Sequence, residues 1–396
     1  MTPGEAPRHL AKSAKPSHQT PKALEDGVWR LSCPRRWAGK YYTYRVQAFH
    51  PLTGKIETME APDPYSVTCS ADAERSLLCR LPAWDTASMP PVPPFRHRAD
   101  AVIYELHVRD FSARDKSVAS GRRGRYLAFE QEGTNGDRHL RKLAAAGMTH
   151  VHLLPTFDFG SVPERAEDRA EPVMPTKAGP DSEGQQMAVM EVAEKDAFNW
   201  GYDPVLYGVP EGSYSSDPDG MARVHEHRRM IAGLHKKGLR VVADVVFNHA
   251  FGSGPVGNHS ILDKCVPGYY LRRREDGRVE NSTCMNNTAT ERYMMERHVV
   301  DMVRHWAIEH RMDGFRFDLM GHITLACIQK CRAALDELSI QEHGIDGPRL
   351  LLYGEGWEFG EIEGGARGDT ACQRHLAGTG IASFNDHLRG AVRDLD

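Results

Sequence analysis

The chain has 396 residues, 40% hydrophobic and 26% charged, with a formal net charge of −4. At about 150 residues per domain this predicts two or three domains of ordinary water-soluble composition. No basic excess exists to meet phosphates, which argues against nucleic-acid and membrane-surface functions. The longest apolar runs, such as Val241 to Phe247, fall far short of the ~20 residues of a membrane span.

Residues 1–27 carry basic and hydroxyl side chains but no apolar stretch, so they do not form a secretory signal. They fit either part of an organelle transit peptide or a disordered leader. Over 28–81, short aromatic and β-branched runs (Tyr41 to Phe49, Lys55 to Met59, Val67 to Cys69) are separated by Pro, Gly and Asp. That pattern predicts a small antiparallel β domain. Residues 82–95 hold Pro82, Pro90, Pro91, Pro93 and Pro94 and read as a linker. From residue 96 to 396, strand and helix patterns alternate. Strands are predicted over 101–108, 149–154, 239–247, 314–319, 350–354 and 381–384. Helices are predicted over 136–146, 219–237 and 324–338, and from a Thr288/Glu291 capping box to His310. The stretch 158–197, rich in Glu, Pro and Ala, reads as an insertion after the second of these strands.

Helices closed by Gly147 and Gly238 lead straight into apolar strands, which predicts a parallel sheet buried on both faces. Six such strands without a strong dinucleotide fingerprint favour a (β/α) barrel over a doubly wound sheet. The eight cysteines show no C-x-x-C pair and are spread thinly, which favours reduced thiols over a disulfide scaffold.

In a barrel, chemistry sits at the C-terminal ends of the strands. The third strand runs out as Asp244-Val-Val-Phe-Asn248-His249, the fourth as Gly314-Phe-Arg316-Phe-Asp318-Leu-Met-Gly-His322, and the fifth as Tyr353-Gly-Glu355-Gly-Trp357. A loop after the insertion reads Phe198-Asn199-Trp200-Gly201-Tyr202-Asp203-Pro204. Arg316 and Asp318 are two apart on a strand and share a face. The guanidinium is expected to hold Asp318 ionised, as a nucleophile requires. Partial burial beside Trp357 is expected to raise Glu355, as a general acid requires. One ionised and one protonated carboxyl at ~5–5.5 Å is the arrangement for retaining cleavage of a glycosidic bond.

DVVFNH, GFRFDLMGH and YGEGW resemble three of the four short conserved regions of the α-amylase superfamily, glycoside hydrolase family 13. FNWGYDP is similar to the YNWGYDP signature of pullulanase-type debranching enzymes. YELHVRDFS, HLRKLAAAGMTHVHLLPTF and LAGTGIASFNDHLRGAV bring the resemblance closest to the plant-type pullulanases, the limit dextrinases. The resemblance implies a (β/α)8 TIM barrel with about six strands present, preceded by part of a glycan-binding β-sandwich. It implies hydrolysis of α-1,6 branch linkages in pullulan, limit dextrins and other branched α-glucans, with no nucleic-acid or membrane partner. On it, Asp318 is the nucleophile and Glu355 the acid/base. Tyr202, Asn248, His249, Arg316, His322 and Trp357 bind sugar, and Asp203 and Asp244 are structural at the site. It requires no cofactor, and it allows a structural Ca²⁺ without assigning ligands. It places the protein in the plastid stroma of a plant or alga, otherwise in the cytoplasm.

Two departures qualify the resemblance. Phe198 stands where the signature has tyrosine. The fourth conserved region, with its essential third Asp, would lie beyond Asp396, so the 396 residues alone are expected to be inactive. The alternatives are another family 13 enzyme, isoamylase or branching enzyme, and a glycan-binding remnant without turnover. Weaker signals add little. Gly252 to Gly257 matches G-x-G-x-x-G, but Pro255 denies it the helix that a dinucleotide site needs. His225 and His227 point to different helix faces and read as solvated rather than metal-ligating.

Overall fold

The computed structural model of the protein describes residues 20–23, 28–84, 90–177, 179 and 181–393. Most of the expected leader (1–19 and 24–27) and residues 85–89 of the expected linker lie outside them. The chain divides into two compact units, Met1–Lys40 and Tyr41–Asp396. In the first, Lys22–Ala23 pairs antiparallel with Trp29–Arg30, and a 3-10 turn covers Arg35–Trp37. The second holds the main sheet and all the residues assigned to the site.

Within the second unit, Ile103–Leu106 (β1), His150–Leu153 (β2), Arg240–Val245 (β3), Gly314–Phe317 (β4), Leu351–Gly354 (β5) and Ala382–Ser383 (β6) form one six-stranded sheet. They pair in chain order and every pairing is parallel. This is the expected incomplete (β/α) barrel. β2 to β5 are buried along their whole length, as apolar strands covered on both faces must be. The helices Asn135–Ala145 and Ala222–His235 return the chain through Gly147 (φ 102°) and Gly238 (φ 84°). Their left-handed backbone suits glycine. Between β2 and β3, Phe157–Phe159 pairs antiparallel with Pro204–Pro210, and residues 160–203 leave and rejoin the sheet region through that ribbon. The hairpin Tyr44–His50/Lys55–Ala61 packs through Ala61 against Ile261 and Leu206.

The helix Tyr293–His310 buries Met295, Val299, Met302, Val303 and Trp306, the face expected from their spacing. Each such side chain contributes about 1.5–3 kcal/mol by leaving water. The start of this helix differs from expectation. Thr288 and Glu291 form no capping box. The Thr288 hydroxyl donates to the Phe247 carbonyl, and Glu291 pairs with Arg272, so both are spent on the loops around the strand ends. The helix begins five residues later, behind Arg292.

The histidine reading is also corrected. His225 is exposed, but His227 is fully buried, with Nε2 3.2 Å from Thr156 Oγ1 and Nδ1 3.0 Å from His310 Nδ1. Burial lowers His227 to about 3 and His298 and His305 to about 4, and it pushes His310 far down as well. A depressed histidine contributes stability that is complete above its unfolded value near 6.5 and is lost as pH falls below it, because the unfolded chain then takes up protons that the fold refuses. Each histidine that stays neutral costs up to about 1.4 kcal/mol per pH unit in that window. The thermal midpoint is therefore expected to fall steeply between pH 6.5 and 4.5. His298, whose ring packs edge-on against Tyr65 and Tyr207, should become Phe with little change at pH 7.5 and a shallower decline in acid. Parallel pH curves for the parent and His298→Phe would show that His298 is not one of the groups responsible.

Candidate active site

The parallel register sets Asp244, Arg316 and Tyr353 side by side across β3, β4 and β5. At the ends of these strands Arg316 reaches three carboxylates. Its Nη1 lies 2.9 Å from Asp244 Oδ1 and 2.9 Å from Asp318 Oδ1, and its Nη2 lies 2.6 Å from Glu355 Oε1. β4 ends at Phe317, two residues earlier than expected, because Leu319 turns left-handed (φ 39°) and its N–H donates to Glu355 Oε2 at 2.9 Å. Glu355 is thus held by a guanidinium on one oxygen and a backbone amide on the other.

The loop after β3 closes the opposite side. Asn248 Nδ2 donates to Asp318 Oδ2 at 2.8 Å and to the Asp318 carbonyl at 2.9 Å. His249 is fully buried between Asn248 Oδ1 (2.6 Å) and the Tyr202 carbonyl (2.7 Å). Facing two acceptors, a neutral ring satisfies only one of them, although burial favours the neutral form. The Tyr202 hydroxyl donates to Asp244 Oδ2 at 2.7 Å, and Arg316 lies 5.8 Å from the centre of its ring. Asp203 is half-buried; its carbonyl accepts from the Gly160 amide at 3.0 Å.

Trp357 is half-buried, and its carbonyl approaches Gly321 so closely that a Cβ there would lie 1.8 Å from it. Only glycine permits that contact. His322 is fully buried with its ring 4.3 Å from that of Phe359, and burial lowers it to about 4. Among the described residues no hydrogen bond joins its ring to the carboxylate cluster.

Two residues not singled out from the sequence extend the network. His152 Nε2 lies 3.1 Å from Asp244 Oδ2, and its Nδ1 lies 3.2 Å from Glu105 Oε2. With carboxylates on both sides, the His152 pKa is raised despite burial. The signal was the alternation His150-Val-His152 along β2, where period two puts both rings on one face.

Protonation follows from charge crowding. Burial pushes Glu355 up, Arg316 pulls it back, and Asp318 raises it again. Burial also pushes Asp318 up, against Arg316 and Asn248. Arg316 thus acts on Asp318 in the expected sense, favouring its ionised form, while burial and the Asp244 carboxylate oppose it. Burial and the neighbouring carboxylates thus raise both groups, and Arg316 opposes them in each case.

Among the described residues, one buried cluster, Asp158, Glu164 and Glu211, has oxygens close enough to share a metal. Arg223 already fills it, with Nη1 3.2 Å from Asp158 and Nη2 2.7 Å from Glu164. A Ca²⁺ that needs six to eight oxygens does not fit beside that guanidinium.

No protein-family model matches the chain. Pullulanase 1, chloroplastic, of Arabidopsis thaliana is 47% identical over 386 residues, which is 95% of this chain and 40% of that protein. A Bacillus subtilis pullulanase is 33% identical over 392 residues, 97% of this chain and 47% of its own length. The crystal structure of Klebsiella pneumoniae pullulanase complexed with maltotriose superposes with a TM-score of 0.85 at 33% identity, covering 93% of this chain and 38% of that one. The chain thus spans about two-fifths to a half of the length of these relatives. Along nearly all of its own length the chain is similar to pullulanases.

Proposed function

We propose that the protein carrying this chain hydrolyses α-1,6-glucosidic branch linkages in pullulan, limit dextrins and starch-derived glucans, with retention of anomeric configuration. The observation that carries this reading is the single guanidinium of Arg316 joining Asp318 and Glu355. Two carboxyls on one fork suit the ~5–5.5 Å spacing of a retaining pair better than the ~6.5–9.5 Å of an inverting one. Asp318 is the nucleophile that forms the glycosyl-enzyme. Glu355 protonates the leaving oxygen and then deprotonates the incoming water. Arg316, Asn248 and His249 position Asp318 and line the sugar at the cleavage site. Tyr202 offers a ring face to that sugar, Trp357 stacks beyond the bond, and His322 contributes to binding from its loop. Asp244 and Asp203 hold the site in shape. The chemistry itself uses only carboxyl groups and water. The β-rich stretch 28–81 is read as part of a glycan-binding sandwich, residues 82–95 as its linker and 96–396 as the barrel. The plastid stroma is the proposed location in a plant or alga, which the chloroplastic Arabidopsis relative supports. No helix among the described residues is long and apolar enough to cross a membrane.

The full-length protein should release maltotriose from pullulan, with the α-anomer appearing first in NMR of the fresh product. Retention on starch without release would overturn the reading in favour of a binding module.

A further inference from the structure

Arg272 is buried, at 2% exposure, and lies behind the site rather than in it. Its Nη2 donates to the His322 carbonyl at 2.9 Å, its Nη1 lies 3.3 Å from Glu361 Oε1, and its Nε lies 3.1 Å from Glu291 Oε2. Its backbone N–H donates to the Asn287 carbonyl at 2.7 Å, and Asn287 Nδ2 donates to the same Glu361 oxygen at 2.8 Å. Next to Asn287, the Thr288 N–H donates to the Asn248 carbonyl at 3.0 Å. One side chain therefore ties together the loops that leave β3, β4 and β5. The loop after β4 is short and taut. Its far end, His322, is held by Arg272, and its near end, Leu319, holds Glu355. The Gly321 N–H meanwhile donates to the Glu355 carbonyl at 2.9 Å.

We propose that Arg272 is a positioning residue for the hydrolysis reaction: by gripping the His322 carbonyl and Glu361 it keeps the 319–322 turn seated, so that the Leu319 N–H stays on the Glu355 carboxylate. This rests on the reading of Glu355 as the acid. Burying an arginine is costly unless each of its donors is used. Here the donors go to groups that hold the ends of site loops.

The charged and titratable groups facing Glu355 are Arg316, Asp318 and Asp244, with Cys284 nearby, and Arg272 does not touch it. The Leu319 N–H favours the ionised carboxylate. Loosening it therefore raises the pKa of the acid and moves the alkaline limb of the pH–rate profile upward.

The test uses the full-length protein on pullulan with Arg272→Lys and Glu361→Gln. Arg332→Lys is the control, because Arg332 is also buried but grips the Gly347 and Leu350 carbonyls just before β5. Arg272→Lys is expected to lower kcat about 10–100-fold, as a displaced catalytic group does, with KM changed less than about threefold. Its alkaline limb should rise by about half a pH unit or more. Glu361→Gln should move both readings in the same direction by less, and it decides the matter if Arg272→Lys fails to fold. Arg332→Lys should lower the thermal midpoint without moving the limb. If Arg272→Lys and Glu361→Gln also lose only stability, the inference is overturned. If the parent itself leaves pullulan uncut, the proposed function has failed and this inference falls with it.

Discussion

Glu355→Gln in the full-length protein is expected to cut turnover on pullulan by about 10²–10⁴-fold, the range of a lost general acid–base. The amide cannot give a proton to the leaving oxygen. It also cannot reproduce the contacts of the carboxylate. Both oxygens of Glu355 face donors, Arg316 Nη2 at 2.6 Å and the Leu319 N–H at 2.9 Å. A glutamine can turn its carbonyl toward only one of them, leaving its NH₂ against the other. The variant should therefore also lose about 1–3 kcal/mol of stability from the mismatched contact, seen as a lower thermal midpoint. Maltotriose binding, measured by calorimetry, should survive because the Tyr202 ring and the Trp357 side chain are untouched. Turnover within tenfold of the parent would remove Glu355 from the acid's role. Unchanged stability would mean that the Leu319 turn adapts to the amide.

Much of this site was legible in the sequence because strand geometry is simple. Period two puts Arg316 and Asp318 on one face, and parallel register brings Asp244 and Glu355 to them from the neighbouring strands. The order of the six strands followed from helix–glycine–strand texture for the same reason. What stayed hidden depends on contacts between distant segments. Thr288 and Glu291 have the spacing of a capping box, but they are claimed by Phe247 and Arg272, which no local pattern reveals. His227 was read as solvated because it shares no helix face with His225, yet the fold buries it against His310. The sharing of Arg316 among three carboxylates likewise needs three strands in place before it can be seen. The pair Arg316/Asp318 alone suggested a carboxylate held ionised, and the assembled cluster adds burial and the Asp244 charge as opposing influences.

Asp318→Asn should lower turnover on the order of 10⁴-fold or more, since no other group can form the glycosyl-enzyme. Its structural cost resembles that of Glu355→Gln. Oδ1 faces Arg316 Nη1 at 2.9 Å and Oδ2 faces Asn248 Nδ2 at 2.8 Å, both donors, so the new NH₂ meets one of them. A second consequence separates loss of the nucleophile from general damage. Asp318 raises the pKa of Glu355 by like-charge repulsion, while Arg316 opposes it. Removing the Asp318 charge leaves Arg316 a larger share of influence, so Glu355 should titrate at lower pH in the variant. Carbon-13 NMR of the labelled Glu355 carboxyl reads this directly, without any need for activity. In the parent, a mechanism-based fluorosugar of α configuration should label Asp318, and peptide mapping should find the adduct there. Labelling at Asp244 would reassign the nucleophile. An unchanged Glu355 titration in Asp318→Asn would show that the two carboxyls are too far apart to act as a retaining pair.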